Sequence, residues 1–164
     1  MLNDVMTRDH TASIRAGLYA SAGSVLAALG PRYTGELKLA FPDVDPGYRI
    51  FGYNILCQMK MPRKKAGGLI LPDESKDVEK FRTQAALVRA MGPSSFHRRD
   101  TLEPWPEGAW CIPGMFVRVP MYGGDRFEVD VMVGGQKEQV LFALFKDTDL
   151  IAERIGDPLS TKTS

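Results

Sequence analysis

The stretch Arg126-Phe-Glu-Val-Asp-Val-Met-Val-Gly-Gly-Gln-Lys-Glu-Gln-Val-Leu-Phe-Ala-Leu-Phe145 decides the fold class. Residues with high strand preference fill Arg126–Val133 and Gln139–Phe145, and Gly134-Gly135 between them is a two-residue hairpin signal. Working outward, Pro113-Gly114 precedes a short strand over Met115–Val119, and Pro120-Met-Tyr-Gly-Gly124 turns the chain toward the hairpin. Lys146–Ile155 closes the domain, and Gly156–Ser164 is a polar tail. Short strands separated by Gly and Pro turns at regular spacing predict an all-β protein, a small barrel.

Upstream lies a polar, turn-rich excursion over about 92–113, containing His97-Arg98-Arg99-Asp100 and Pro104-Trp105-Pro106-Glu107-Gly108. It is long for a plain connection and reads as a hairpin or a functional loop. His97 beside two arginines raises the question of a phosphate or metal site. His10 is the only other histidine, and no carboxylate or thiolate has ligand spacing to either, so no metal is expected. Before the excursion, Val78, Phe81, Ala85 and Val88 sit at helical spacing, yet Ala86, Val88 and Ala90 also alternate with Ala85, Leu87 and Arg89. Local propensity favours a helix there, and periodicity alone leaves the matter open. Tyr48–Met59 reads as a strand, because Tyr53, Ile55, Cys57 and Met59 alternate with Asn54, Leu56, Gln58 and Lys60.

Between these segments, about 61–80, the chain contradicts itself. The flanks are charged and carry Pro62 and Pro72, as a solvated loop does, but the centre is Gly67-Gly68-Leu69-Ile70-Leu71. Three consecutive large aliphatics suit a buried strand behind a Gly-Gly turn, or an arm that offers an apolar tip to a partner's groove. Residues 1–47 look like an appendage, which packs on its own domain, docks between subunits or is a largely disordered tail. Ile14, Leu18, Ala22, Val25 and Leu29 predict one apolar stripe on a helix over 11–29, stopped by Gly30-Pro31. The boundary is placed in Ala40-Phe-Pro-Asp-Val-Asp-Pro-Gly47.

With 164 residues, 44% of them hydrophobic, the chain can bury one good core. A net charge of +1 gives no global attraction to nucleic acid or an anionic membrane. Cys57 and Cys111 do not form a C-x-x-C pair and read as reduced packing thiols, which suits a cytoplasmic protein. No apolar run reaches the ~20 residues that span a bilayer.

The order of these pieces resembles the GroES-like co-chaperonins. That family has a first strand, a mobile loop tipped by Gly-Gly and three aliphatics, a strand, and a roof hairpin. A Gly-initiated strand, a Tyr/Gly turn and a last strand ending in an Asp-Leu/Ile motif follow. The matching residues are Gly67-Gly68-Leu69-Ile70-Leu71, Gly114–Val119, Tyr122-Gly123-Gly124 and Asp149-Leu150-Ile151, within about 48–155. The resemblance implies a partly open GroES-like β-barrel over 48–155, with a mobile loop at 61–80 and a roof hairpin at 92–113. It also implies that Thr83–Met91 is a strand against its local propensity. The Asp-Arg pair usual in the first strand is Gly52-Tyr53 here, and the usual Gly-Asp is Gly114-Met115. These departures, with the extension at 1–47, point to a divergent member and are compatible with a bacteriophage source.

The function implied is that of a non-catalytic lid. Family members form seven-membered rings that cap a GroEL-type chaperonin in its nucleotide-bound state and enclose a client protein, with no cofactor of their own. Gly67, Gly68, Leu69, Ile70 and Leu71 would be the chaperonin-binding residues. Two other classes are weighed. A dehydrogenase-type GroES-like domain would need a Gly-x-Gly-x-x-Gly fingerprint or a Cys/His zinc set, and neither is present. A phage structural or assembly protein would use the N-terminal helix as its assembly element.

Overall fold

The computed structural model describes residue 26 and residues 29–62, 65–66, 69–70 and 82–160. Six strands form one antiparallel sheet: β1 (Asn54–Met59), β4 (Ala85–Met91), β5 (Phe116–Arg118), β6 (Asp125–Val133), β7 (Gln136–Lys146) and β8 (Ala152–Glu153). Their order is β6-β7-β1-β4-β5-β8, so β1 lies inside the sheet and β6 and β8 are its edges. The fold is all-β, as the hairpin signal predicts. Two more short strands, β2 (Lys65–Ala66) and β3 (Leu69–Ile70), pair only with each other among the described residues. No helix among the described residues is long and apolar enough to cross a membrane.

The β6–β7 hairpin is longer than the sequence suggests. Gly134 and Gly135 have φ of +58° and +79°, the pair of left-handed residues that a type I′ turn requires. That turn's twist matches the strands, so pairing begins at Val133 opposite Gln136 and recruits the polar Gln136–Gln139 into β7. The strand expected from Tyr48 begins only at Asn54, because Gly52 (φ +60°) turns the backbone just before it. β4 forms despite its helical propensity. Leu87 and Val88 are fully buried between β1 and β5, and tertiary burial outweighs a preference of a few tenths of a kcal/mol per residue.

Both faces of the sheet are buried at its centre, on β1, β4 and β7. On one, Ile55, Cys57 and Met59 of β1, Ala86 and Val88 of β4 and Leu141, Ala143 and Phe145 of β7 meet Phe96, Cys111 and Leu150. The other face carries Leu56, Leu87, Ala90, Val140 and Phe142. Leu26 and residues from 29–50 cover it, so this part of the expected extension packs on its own sheet. Leu26, Leu29, Leu37, Ala40 and Phe41 gather on Leu87, and Ile50 and Val44 pack with Phe142 and Leu56. Phe41 is fully buried, 5.3 Å from the Phe116 ring, at the end of a five-residue helix, α1 (Glu36–Ala40). A buried phenylalanine of this kind contributes roughly 1.5–3 kcal/mol. Of the helix expected over 11–29, only Leu26, which is helical, and Leu29 lie within the described residues.

Candidate functional site

β1 leads into the segment that holds the apolar triplet, and β4 leads out of it. Within it, Lys65 pairs with Ile70 and Ala66 with Leu69. Leu69 and Ile70 therefore belong to a small hairpin that is separate from the main sheet. Two residues, Gly67 and Gly68, lie between its strands in sequence, the separation of a tight hairpin. Gly67, Gly68 and Leu71 fall outside the described residues, as does most of the loop expected over 61–80.

The expected roof excursion is built around an aromatic trio. Phe96 is fully buried, with ring centroids 5.4 Å from Trp105 and 5.9 Å from Trp110. Trp105 N donates to Phe96 O, Arg98 N donates to Glu103 O, and His97 and Pro104 form an antiparallel bridge, so the tip over 97–104 is a compact turn. The His97 Nδ1 lies 2.7 Å from Ser95 O, which accounts for that ring nitrogen within the loop. Among the described residues, no three His, Cys, Asp or Glu side chains gather to hold a metal ion.

Sequence reading missed two polar constellations. In the first, Arg89 is the extra residue of a β-bulge, because Leu56 pairs with Ala90 while the next residue, Cys57, pairs with Val88. The bulge turns Arg89 under residues 42–44, where its side chain donates to the Gln58 Oε1 and, at 3.1 Å, to Val44 O. Gln58 Nε2 donates in turn to Pro42 O at 2.8 Å. Burial holds the Arg89 guanidinium below its usual pKa, and Asp43, Tyr33 and Asp45 act in the opposite direction. Tyr33 is pushed up to about 12 by burial and by Asp43, and its hydroxyl donates to Phe41 O. The bulge signal is not visible in sequence: a lone arginine in a strand pattern reads as solvent-facing.

In the second constellation, the Asp147 carboxylate is fully buried at the end of β7. It accepts from Phe96 N (2.8 Å), Thr148 N (2.8 Å) and Arg99 Nη2 (2.5 Å). Arg99 also lies 3.6 Å from the centre of the Tyr53 ring. Arg99 and Asp147 stand 48 residues apart in sequence, so only the fold brings them together.

Beside the edge strand β8 are two clefts. The larger, about 640 Å³, runs between residues 29–37 and 153–159, with Leu29, Phe116 and Leu159 in its wall and Arg32, Glu36 and Arg154 among its polar lining. The smaller, about 230 Å³, is lined by Trp110, Cys111, Leu150 and Ile151. Burial pushes the Cys111 thiol up to about 12, and Cys57 is raised further by complete burial, so neither is a ready nucleophile. Ser95 is the buried hydroxyl here, and its Oγ faces Asn54 O rather than a base. No family model, curated protein or solved structure matches this chain.

Proposed function

We propose that this protein is a co-chaperonin, a lid for a GroEL-type chaperonin, built on a partly open GroES-like barrel. One observation carries the reading. An all-β body sends out, between two adjacent strands, a segment whose described part pairs only with itself and carries Leu69 and Ile70. The order of strands and turns that resembles the co-chaperonins supports it. Ring formation, the chaperonin partner, an enclosed client and a host-cytoplasm setting come with the proposal. So do the roles of Gly67, Gly68, Leu69, Ile70 and Leu71 in chaperonin binding.

The energetics suit a removable lid. Burying three aliphatic side chains gains roughly 1.5–3 kcal/mol each. Fixing a loop of this length costs about 1–2 kcal/mol per backbone residue ordered. One arm therefore binds weakly, and several arms on one ring gain factors of about 10²–10⁴ through effective concentration. Nucleotide hydrolysis is left to the chaperonin.

Ile70→Asp tests the reading, since a carboxylate in an apolar groove is strongly penalised. The variant is expected to keep the circular dichroism spectrum and urea midpoint of the parent and to lose chaperonin-assisted refolding of a client. Loss of the fold in the variant would instead make Ile70 a core residue and sink the arm. The phage assembly reading is carried by no specific contact in the structure.

A further inference from the structure

We infer that residues 14–25 dock in the larger cleft beside β8, where Ile14, Leu18, Ala22 and Val25 extend the cover over one face of the sheet. That cover crosses the face in chain order. Ile50 and Val44 pack with Leu56 of β1 and Phe142 of β7, while Leu37, Leu29 and Leu26 gather on Leu87 of β4. Toward its N-terminus the chain therefore moves in the direction of β5 and β8. The cleft of about 640 Å³ begins where the described cover stops, lined by Leu29 and Leu37, by Phe116 of β5 and by residues 153–159. Its far side is a built wall. Arg154 donates to Asp157 O and Ser160 O, both at 3.3 Å, and Leu159 N donates to Asp157 Oδ1 at 2.9 Å. Leu159 thereby packs on the same cluster as Leu26 and Leu29.

Three observations name the occupant. The first is connection: Leu29 is itself a wall residue, so the chain before it leaves from the cleft. A segment tethered there has a higher effective concentration at the cleft than the same segment of a second copy. The second is the helical face. Leu26, which is helical, and Leu29 stand three apart and are both buried. Val25, Ala22, Leu18 and Ile14 continue from Leu29 on that face at spacings of three and four. A helix running back from Leu26 turns this stripe to the side on which the sheet and the cleft lie. The third is composition, since Arg15 is the only charged side chain between Thr11 and Leu29. A helix so poor in charge belongs against apolar surface. Its docking also serves the sheet. β8 is an edge strand of two residues, Ala152 and Glu153, both exposed, and a covering helix keeps such an edge from pairing with other chains. The docking concerns the body alone and is independent of any chaperonin.

Paramagnetic relaxation on the full chain tests this. A nitroxide attached at Ala20→Cys sits on the helical face opposite the stripe, and both native cysteines are buried away from the labelling reagent. The label is expected to erase the amide signals of Arg154 and Leu159 and to spare those of Val131 and Met132 on β6, at the opposite edge of the sheet. Adding Leu18→Asp is expected to restore the lost signals, because a carboxylate is penalised in an apolar cleft. Without the label, Leu18→Asp is expected to speed exchange of the Ile151 and Arg154 amides, which bond to Arg118 O and Phe116 O, while β1 and β7 amides keep their rates. The acceleration should be about tenfold, as the loss of one buried leucine supports. Signals of Arg154 and Leu159 that survive the label overturn the docking, as do unchanged rates at Ile151 and Arg154. Equal signal loss when the spin label and the isotope label are on different chains overturns it too, by placing the segment on a second copy. The label experiment decides alone where Leu18→Asp does not fold.

Discussion

Gly92 shows how narrowly a single position can be specified in this molecule. It is buried where the excursion leaves β4, with its N–H on Asn54 O, and a Cβ there would lie 2.1 Å from the Gly52 carbonyl oxygen. Backbone, unlike a side-chain tip, cannot give way by that amount. We expect Gly92→Ala to destabilise the protein by more than about 3 kcal/mol, at the severe end for point changes, as a drop in urea midpoint. A change below about 0.5 kcal/mol would mean the Gly52–Gly92 crossing is looser than described. The cysteines give a pH signature. The Cys111 thiol is raised from its ordinary 9.0 to about 12, and Cys57 is raised too, by burial first and then by nearby negative groups. The unfolded chain releases these protons from about pH 9 upward while the folded chain keeps them, so stability falls as pH rises from 9.0 toward 12. Alkylation at neutral pH should accordingly wait for unfolding, and prompt labelling of the native protein would contradict the burial. Sequence reading recognised these thiols as packing residues from their number and spacing. It could not see Gly92's role, because a Gly-Pro turn and a backbone crossing look alike in one dimension.

Among the elements, the segment 29–50 differs from expectation at Ala40–Gly47, which reads as a linker. Two of its three prolines, Pro42 and Pro46, and the composition around Ala40–Gly47 suggest a linker, and they do prevent regular structure there. Yet an irregular strand of chain can cover a sheet if its polar groups find partners, and here the bulge at Arg89 supplies them. Carbonyls of Pro42 and Val44 accept from Gln58 and Arg89, while Phe41, Val44 and Ile50 turn inward. The strands were legible because period-two alternation and Gly-Gly turns are local. The cover was not, because the side chains that hold it come from β1 and β4. Deleting residues 1–45 should therefore strip Leu26, Leu37 and Phe41 from a sheet face that carries a buried cation. We expect the truncated chain to aggregate or to lose cooperative urea unfolding. A soluble, cooperatively folded fragment starting near Tyr48 would show that the cover is dispensable. The segment 61–80 was open in sequence, because nothing local in Gly-Gly and three aliphatics distinguishes a core strand from an arm.

At the scale of the whole molecule, the proposed lid divides its labour between a body and an arm. A sheet buried on both faces at its centre supplies the body, and in the proposed lid the segment between β1 and β4 supplies the contact to the chaperonin. Charge placement on the long edge strand β6 fits a body that avoids indiscriminate pairing: Glu128 and Asp130 are exposed along it, and Asp130 pairs with Lys137 at 3.0 Å. The measurement that tests the claim most directly is native mass spectrometry of this protein mixed with a GroEL-type chaperonin, with and without nucleotide. The account expects chaperonin to gain a ring of seven 18.2 kDa chains only when ADP or ATP is present, and not to gain it with Ile70→Asp. A chaperonin whose mass stays unchanged in every nucleotide state, beside a correctly folded parent protein, would contradict it.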